Sequence, residues 1–284
     1  VAAAVFQFGA DAMARRRGPA TAQLRRNLAR VVPDAGPTEL DELVRAGLRS
    51  YARYWREAFR LPAMDQRAIY QRVNETVVGR ELIDAALDRG KGVVLALPHT
   101  GNFDVSGIWV VGQYGGFTTV AERLRPESVY RRFLVYREAL GFEILPLTGG
   151  ASPFRALLER LRENRIVCLV GDRDLTNMGI PVTFFGEQTR MPAGPARLAA
   201  STGATILIVD NGFTSDGWRL RFHTPMTVAD RADVPAATQR LADLFAGDIS
   251  AHPADWHMLQ KLWLADLPSA RRQALADDAV REAG

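Results

Sequence analysis

Between residues 92 and 224 the chain alternates short apolar runs with amphipathic stretches of helical length. Val93-Val94-Leu95-Ala96-Leu97 and Ile166-Val167-Cys168-Leu169-Val170 are continuous apolar runs, as expected of strands covered on both faces. The pattern predicts strands near 92–97, 118–122, 142–147, 165–170, 204–210 and 218–224, with a further extended piece at 181–185. Helices are expected near 103–113, 127–140, 152–163, 193–202 and 235–250, and a last one at 255–263. Gly141, Asn164 and Gly203 stand where three of these helices should stop. Such alternation implies an α/β fold: an open, mostly parallel sheet flanked by helices on both faces.

Ahead of this core the pattern is helical. Leu40, Leu43, Val44, Leu48, Tyr51, Trp55 and Phe59 recur at helical spacing over 38–60. Thr38 is the expected cap, with Glu39, Asp41 and Glu42 in the first turn and Pro62 as the stop. Val5, Phe6 and Phe8, then Arg15-Arg16-Arg17, then Leu24 to Val31 make a basic amphipathic start. That segment suits either an anionic lipid surface or packing on the core with a solvated basic face. A single domain is expected over 1–284: a helical N-terminal part (1–62), an α/β core (91–224) and C-terminal helices (235–284).

Composition narrows the partners. The 284 residues are 47% hydrophobic, enough for one large core, and Gly and Pro are too scattered to mark a linker. The net charge is only +4, yet just Lys91 and Lys261 among the 36 cationic residues are lysines. Arginine suits phosphate recognition, and a mild basic excess fits a phosphorylated ligand or anionic membrane better than DNA. No nucleic-acid-binding motif appears, so no nucleic acid is expected as a partner. Cys168 is the only cysteine, which excludes an intrachain disulfide, and it reads as a small buried thiol. No apolar run approaches a membrane span, and no cleavable secretory signal is recognisable. No His/Cys/Asp cluster has ligand spacing, so neither a metal nor a cofactor is expected.

The chemistry concentrates where strands should end. His99 follows the 92–97 strand, Thr100-Gly101-Asn102 turn the chain, and Asp104 falls in the next helix. A histidine at that corner can take a proton from a hydroxyl if a carboxylate holds its other nitrogen. Asp104 could fold back to do so, or cap helix amides instead; Asp172, in Gly171-Asp172-Arg173-Asp174 after the Cys168 strand, could reach across, with Asp174 a competitor. Backbone amides of Gly101 and Asn102 are candidate oxyanion donors. Glu122 and Arg123, after the 118–122 strand, suit a local ion pair or a ligand contact. Arg137 suits a phosphate grip, and Arg173 either a phosphate or its acidic neighbours. Trp256 and His257 read as packing, and no Gly-x-Ser-x-Gly elbow is present to supply a serine nucleophile.

Taken in order, His99 to Asp104, Thr118 to Leu124, Tyr136 to Gly141, Leu145 to Gly150, Gly171 to Asp174, Phe184 to Pro195 and Pro253 to Gln260 resemble the bacterial lysophospholipid and late lipid A acyltransferase family. The resemblance runs from about Leu24 to Leu267 and is nearest to the actinobacterial branch that acylates phosphatidylinositol mannosides. It implies acyl transfer, palmitoyl as the expected group, from acyl-CoA as co-substrate to the 6-hydroxyl of a mannose on a phosphatidylinositol mannoside. It also implies peripheral attachment at the cytoplasmic face of the cell membrane and no acyl-enzyme. It assigns catalysis to His99, Asp104 and Asp172, and makes Arg137 the family's helical arginine. Where relatives often carry glutamate, this chain has the shorter Asp172. Another lysophospholipid or glycolipid acceptor, or a lipid-binding protein without catalysis, would share much of the pattern.

Overall fold

Every residue of β1 (Val93–Leu97) is buried, and both its edges are paired in parallel, by β4 (Ile166–Val170) and β7 (Thr205–Phe213). The computed structural model describes residues 2–123, 125–147, 152–176 and 178–269; Leu124 and Thr148-Gly149-Gly150, cited above, lie outside them. With β2 (Phe117–Ala121), β3 (Phe142–Pro146) and β8 (Trp218–Met226) the strands form one sheet of order β3-β2-β4-β1-β7-β8. All neighbours are parallel except β8, which runs antiparallel to β7 at the edge. β5 (Ile180–Phe184) and β6 (Glu187–Met191) pair separately as an antiparallel hairpin.

Period-two side chains divide the core in two. On one face Leu95, Leu97, Val209 and Phe222 pack with α6 (Phe103–Tyr114), α4 (Gln66–Asn74) and α5 (Arg80–Asp88). On the other, Val94, Ala96, Val167 and Ile206 meet α8 (Pro153–Arg162), α9 (Gly194–Thr202), α10 (Val234–Ala251) and the β5–β6 hairpin. A third cluster joins α1 (Ala2–Arg16), α2 (Pro19–Val31) and α3 (Pro37–Arg60) through Ala10, Leu24, Leu28, Val44 and Leu48. The chain is thus an α/β domain with the helical N-terminal part that the pattern predicted.

Four local expectations change. Gly36, not Thr38, caps α3, because Pro37 occupies the first helical position, where its missing N–H costs nothing. Residues 66–74 and 80–88 form α4 and α5, which the pattern reading left unassigned. Glu187–Met191 is a strand whose Thr189 and Met191 face the core. The helix expected at 255–263 is instead a 3-10 turn (Pro253–Asp255) followed by extended chain, bridged to Thr100 through Trp256 and to Thr189 through Trp263. Both tryptophans are fully buried, so that segment is held by its rings and not by a helical ladder. Asn164 (φ +57°) and Gly203 (φ +72°) close α8 and α9 in the left-handed conformation expected of them.

Candidate active site

The turn from β1 into α6 is shaped by what crowds it. Gly101 adopts φ +53°, and a Cβ there would stand 2.5 Å from Gly212 Cα on β7. The Asn102 side chain accepts from the Val105 amide (3.2 Å), capping α6. Its amide group donates to Glu57 Oε2 on α3 (2.8 Å), which also accepts from Trp218 Nε1 (2.8 Å). Asn211 Nδ2 holds the Thr100 carbonyl (2.9 Å), and the His257 amide holds that of His99 (2.8 Å). Three separate parts of the chain therefore hold the turn from His99 to Asn102.

The His99 ring faces Asp172, at the end of β4, with Nδ1 2.6 Å from Oδ1. The other carboxylate oxygen accepts the His99 amide (3.0 Å) and Trp256 Nε1 (3.0 Å). Asp172 is fully buried, whereas the His99 side chain is 34% exposed. Burial alone would push the Asp172 carboxyl up; the His99 charge and hydrogen bonds, with that of Trp256, outweigh it and hold the group below the usual carboxylate range. An ionised carboxylate can only accept, so Nδ1 carries a proton toward it, and in the neutral ring the lone pair is left at Nε2. Nε2 makes no hydrogen bond to any described residue. The shorter aspartate reaches the ring because β4 is the immediate parallel neighbour of β1, with Leu97 level with Val170.

Asp104 does not turn to the ring, nor does it cap the helix. Its Oδ1 accepts Arg137 Nε from α7 (Glu127–Ala139) at 2.9 Å and its Oδ2 accepts the Tyr54 hydroxyl at 3.4 Å. Both partners are largely buried, at 2% exposure for Asp104 and 16% for Arg137. Burial works against the Arg137 charge, but Asp104 more than compensates and keeps the guanidinium protonated. The guanidinium also lies over the rings of Phe103 (5.6 Å) and Phe133 (5.5 Å). An Arg137 bound to this internal carboxylate is not the open phosphate grip expected from its helical position.

Other expected site residues divide. The Gly101 amide is committed to the Asp255 carbonyl (3.0 Å) and cannot serve an oxyanion. The Asn102 side chain is buried and turned inward, to Glu57 and the Val105 amide, so it shapes the turn; its backbone amide donates to no described residue. Arg123 pairs with Glu127 (2.9 Å) and not with Glu122, which is exposed beyond β2. Asp174 accepts from the amides of Thr176 (2.8 Å) and Gly179 (2.9 Å), closing its own loop away from His99. Arg173 is half-buried and forms no ion pair with any described residue.

Two contributors escaped the sequence reading. Trp256, read as packing, donates to Asp172. His257 is buried, and burial together with the nearby His99 charge pushes its imidazole down to about 3, leaving it neutral. Ser50 Oγ spends its proton on Asp255 Oδ1 (2.9 Å), so His257 Nε2 donates to Ser50 (3.0 Å). No spacing links residues 50, 172 and 256; only the apolar Trp256 to Trp263 stretch hinted that this segment is buried.

A cavity lined by Leu97, two residues before His99, opens between α6 and the sheet. Asp104, Arg137 and Phe103 form its polar end; Leu95, Leu97, Cys168, Val170, Val209 and Phe222 make the wall apolar. Burial pushes the Cys168 thiol up, so it is a wall and not a nucleophile. Among the described residues no group of His, Cys, Asp and Glu could hold a metal ion.

The model for the bacterial lipid A biosynthesis acyltransferases matches residues 1–265. The chain is similar to the phosphatidylinositol mannoside acyltransferase of Mycolicibacterium smegmatis, 55% identical over 276 residues, covering 97% of this chain and 89% of the relative. It is likewise similar to the protein of the same name from Mycobacterium tuberculosis H37Rv, 54% identical over 271 residues, covering 95% and 85%.

Proposed function

The chain belongs to the bacterial lipid A biosynthesis acyltransferase family, and we propose that it moves a fatty acyl group from acyl-CoA to the 6-hydroxyl of a mannose on a phosphatidylinositol mannoside. The observation that carries this reading is the His99–Asp172 pair, whose Nε2 bonds no described residue, next in the chain to Leu97 and Phe103 of an apolar cavity. The names borne by the mycobacterial relatives support the acceptor.

In the proposed reaction the acyl chain lies in the cavity and brings its thioester carbonyl to the polar end. His99 Nε2 takes the proton of the sugar hydroxyl as that oxygen attacks the carbonyl carbon. Asp172 fixes the ring tautomer and stabilises the imidazolium. Arg137, its Nε held by Asp104, turns its remaining N–H groups toward the carbonyl oxygen, where negative charge develops. Collapse of the tetrahedral species breaks the C–S bond, and the imidazolium returns its proton to the leaving thiolate. No acyl-enzyme forms, because a thioester is already activated. Arg173, Arg123 and Glu122, on the loops after β4 and β2, contact the phosphate- and sugar-bearing parts of the substrates.

Among the described residues no helix is long and apolar enough to cross a membrane. α1 packs through Ala10 and leaves Val5, Phe8 and Met13 exposed, with Arg15 and Arg16 in its last turn. That face suits peripheral docking on an anionic bilayer, the lipid acceptor's home at the cytoplasmic face of the cell membrane. Co-sedimentation with anionic vesicles should weaken as salt is raised.

The test of function is mass spectrometry of products from palmitoyl-CoA offered a panel of acceptors: a phosphatidylinositol mannoside, lysophosphatidic acid and an unrelated glycolipid. Acylation of the first, at the mannose, is expected. Efficient turnover of either other acceptor in its place would transfer the reading to that lipid.

A further inference from the structure

One face of α3 is given over to the turn that carries His99. Ser50, Tyr54 and Glu57 recur at i, i+4 and i+7, so they share that face. Ser50 bonds Asp255 and His257, whose backbones hold Gly101 and His99. Tyr54 donates to Asp104, and its ring lies 5.0 Å from that of Phe103. Glu57 takes the Asn102 side chain.

Glu57 is the most firmly held of the three. It is buried, and its Oε1 accepts Arg53 Nε at 2.8 Å. Arg53 in turn donates to the carbonyls of Thr214 (2.8 Å) and Gly217 (2.7 Å), between β7 and β8, and lies 4.2 Å over the Phe213 ring. Oε2 accepts Trp218 Nε1, at the start of β8, together with Asn102 Nδ2. One carboxylate therefore ties Asn102 to the edge of the sheet. A carboxylate only accepts, so it takes the NH2 end of the Asn102 amide and leaves Oδ1 for the Val105 N–H.

Asn102 is where the two halves of the site join. Before it in the chain, His99 lies against Asp172; after it, Asp104 holds Arg137. The Phe103 ring neighbours both, 6.5 Å from the His99 ring and 5.6 Å from the Arg137 guanidinium. We infer that Glu57 is a positioning residue for acyl transfer: by holding Asn102 it fixes the start of α6, and with it the spacing between the His99 ring and the Arg137 guanidinium. The inference rests on the roles proposed above for those two groups. Without Glu57, Asn102 still caps α6, but the cap is no longer tied to the sheet edge. A misplacement of about 1 Å can cost ~10²-fold in rate.

Asn102→Ser keeps a capping oxygen and removes the group that reaches Glu57. Glu57→Leu breaks the link from the other side, whereas Glu57→Gln keeps one carbonyl oxygen for the Asn102 amide. These variants, the double variant carrying Asn102→Ser and Glu57→Leu, and His99→Ala are assayed with palmitoyl-CoA and a phosphatidylinositol mannoside. Urea unfolding of each gives its stability. Asn102→Ser and Glu57→Leu should each lower kcat by about 10- to 100-fold, with the KM for acyl-CoA changed by less than about twofold. Glu57→Gln should retain most of the activity. The double variant should lose no more kcat than the worse single one, because both changes break one link. A role confined to stability would shift the urea midpoint and leave kcat of the folded protein alone.

If folded Asn102→Ser turns over at the wild-type kcat while His99→Ala is inactive, the positioning role falls and the functional reading stands. Losses that multiply in the double variant would also overturn the role, since the two residues would then act separately. Wild-type turnover by His99→Ala would remove both. Glu57→Leu also strips Trp218 and Arg53 of an acceptor; if it does not fold, Asn102→Ser, which leaves both of those bonds in place, decides alone.

Discussion

Trp256 Nε1 donates to Asp172 Oδ2 over 3.0 Å, so an indole from the C-terminal segment holds the carboxylate that holds the His99 ring. Trp256 is fully buried and its backbone bridges to Thr100, one residue beyond His99. The same residue thus steadies both members of the pair. Trp256→Phe keeps most of the packing but removes the donor. A hydrogen bond to a charged group is worth about 1.5–3 kcal/mol. A kcat loss on the order of 10- to 100-fold is expected, with KM little changed, read from steady-state kinetics on acyl-CoA.

Asp172→Asn preserves shape but leaves the ring nitrogen facing an amide. The tautomer and the imidazolium both lose their support, and kcat should fall on the order of 10³ or more. Stability responds too. A carboxyl held below its unfolded value contributes stability that is present above the ordinary carboxylate range and lost as pH falls. Thermal melts of Asp172→Asn should accordingly show a shallower loss of Tm on acidification than the wild type.

His257 gives a second acid-side signature. Its imidazole is lowered to about 3 in the folded chain, against ~6.5 unfolded. The unfolded state binds the proton first, so this group erodes stability as pH drops from about 6.5 toward 3. His257→Gln, which can still donate to Ser50, should flatten Tm against pH in that window. An unchanged slope would show that His257 is not buried neutral.

Asp104 and Arg137 should behave as one unit in stability. Removing one partner of a buried pair leaves the other charge uncompensated, at a cost of about 3–5 kcal/mol. Arg137→Met and Asp104→Leu should each destabilise strongly, and the double variant by less than their sum. Urea unfolding of the four proteins checks the coupling. Additive losses would mean that the pair makes no buried contact.

Much of the fold could be read from the sequence because apolar runs such as Val93–Leu97 leave little choice between strand and surface. The strand ends also marked His99 and Asp172 as site residues. Sequence alone could not choose between Asp104 and Asp172 as the partner of His99. That choice depends on β4 lying beside β1 and on α7 bringing Arg137 to Asp104. Gly101 was a candidate oxyanion donor because its amide opens a helix; here that amide is taken by the Asp255 carbonyl, from a segment 154 residues away. The 256–263 stretch has apolar residues at helical spacing, yet burial of both tryptophans and backbone bridges to Thr100 and Thr189 favour an extended path. Local periodicity carries no record of such long-range partners.

The central claim is that His99, uncharged and steered by Asp172, takes the proton from the acceptor hydroxyl in a direct transfer. Turnover of palmitoyl-CoA with a phosphatidylinositol mannoside by His99→Ala, its folding checked by circular dichroism, tests this most directly. The account predicts loss of acylated product by at least the ~10² to 10⁴ that a general base contributes. A folded His99→Ala protein that forms the product at the wild-type rate would contradict it.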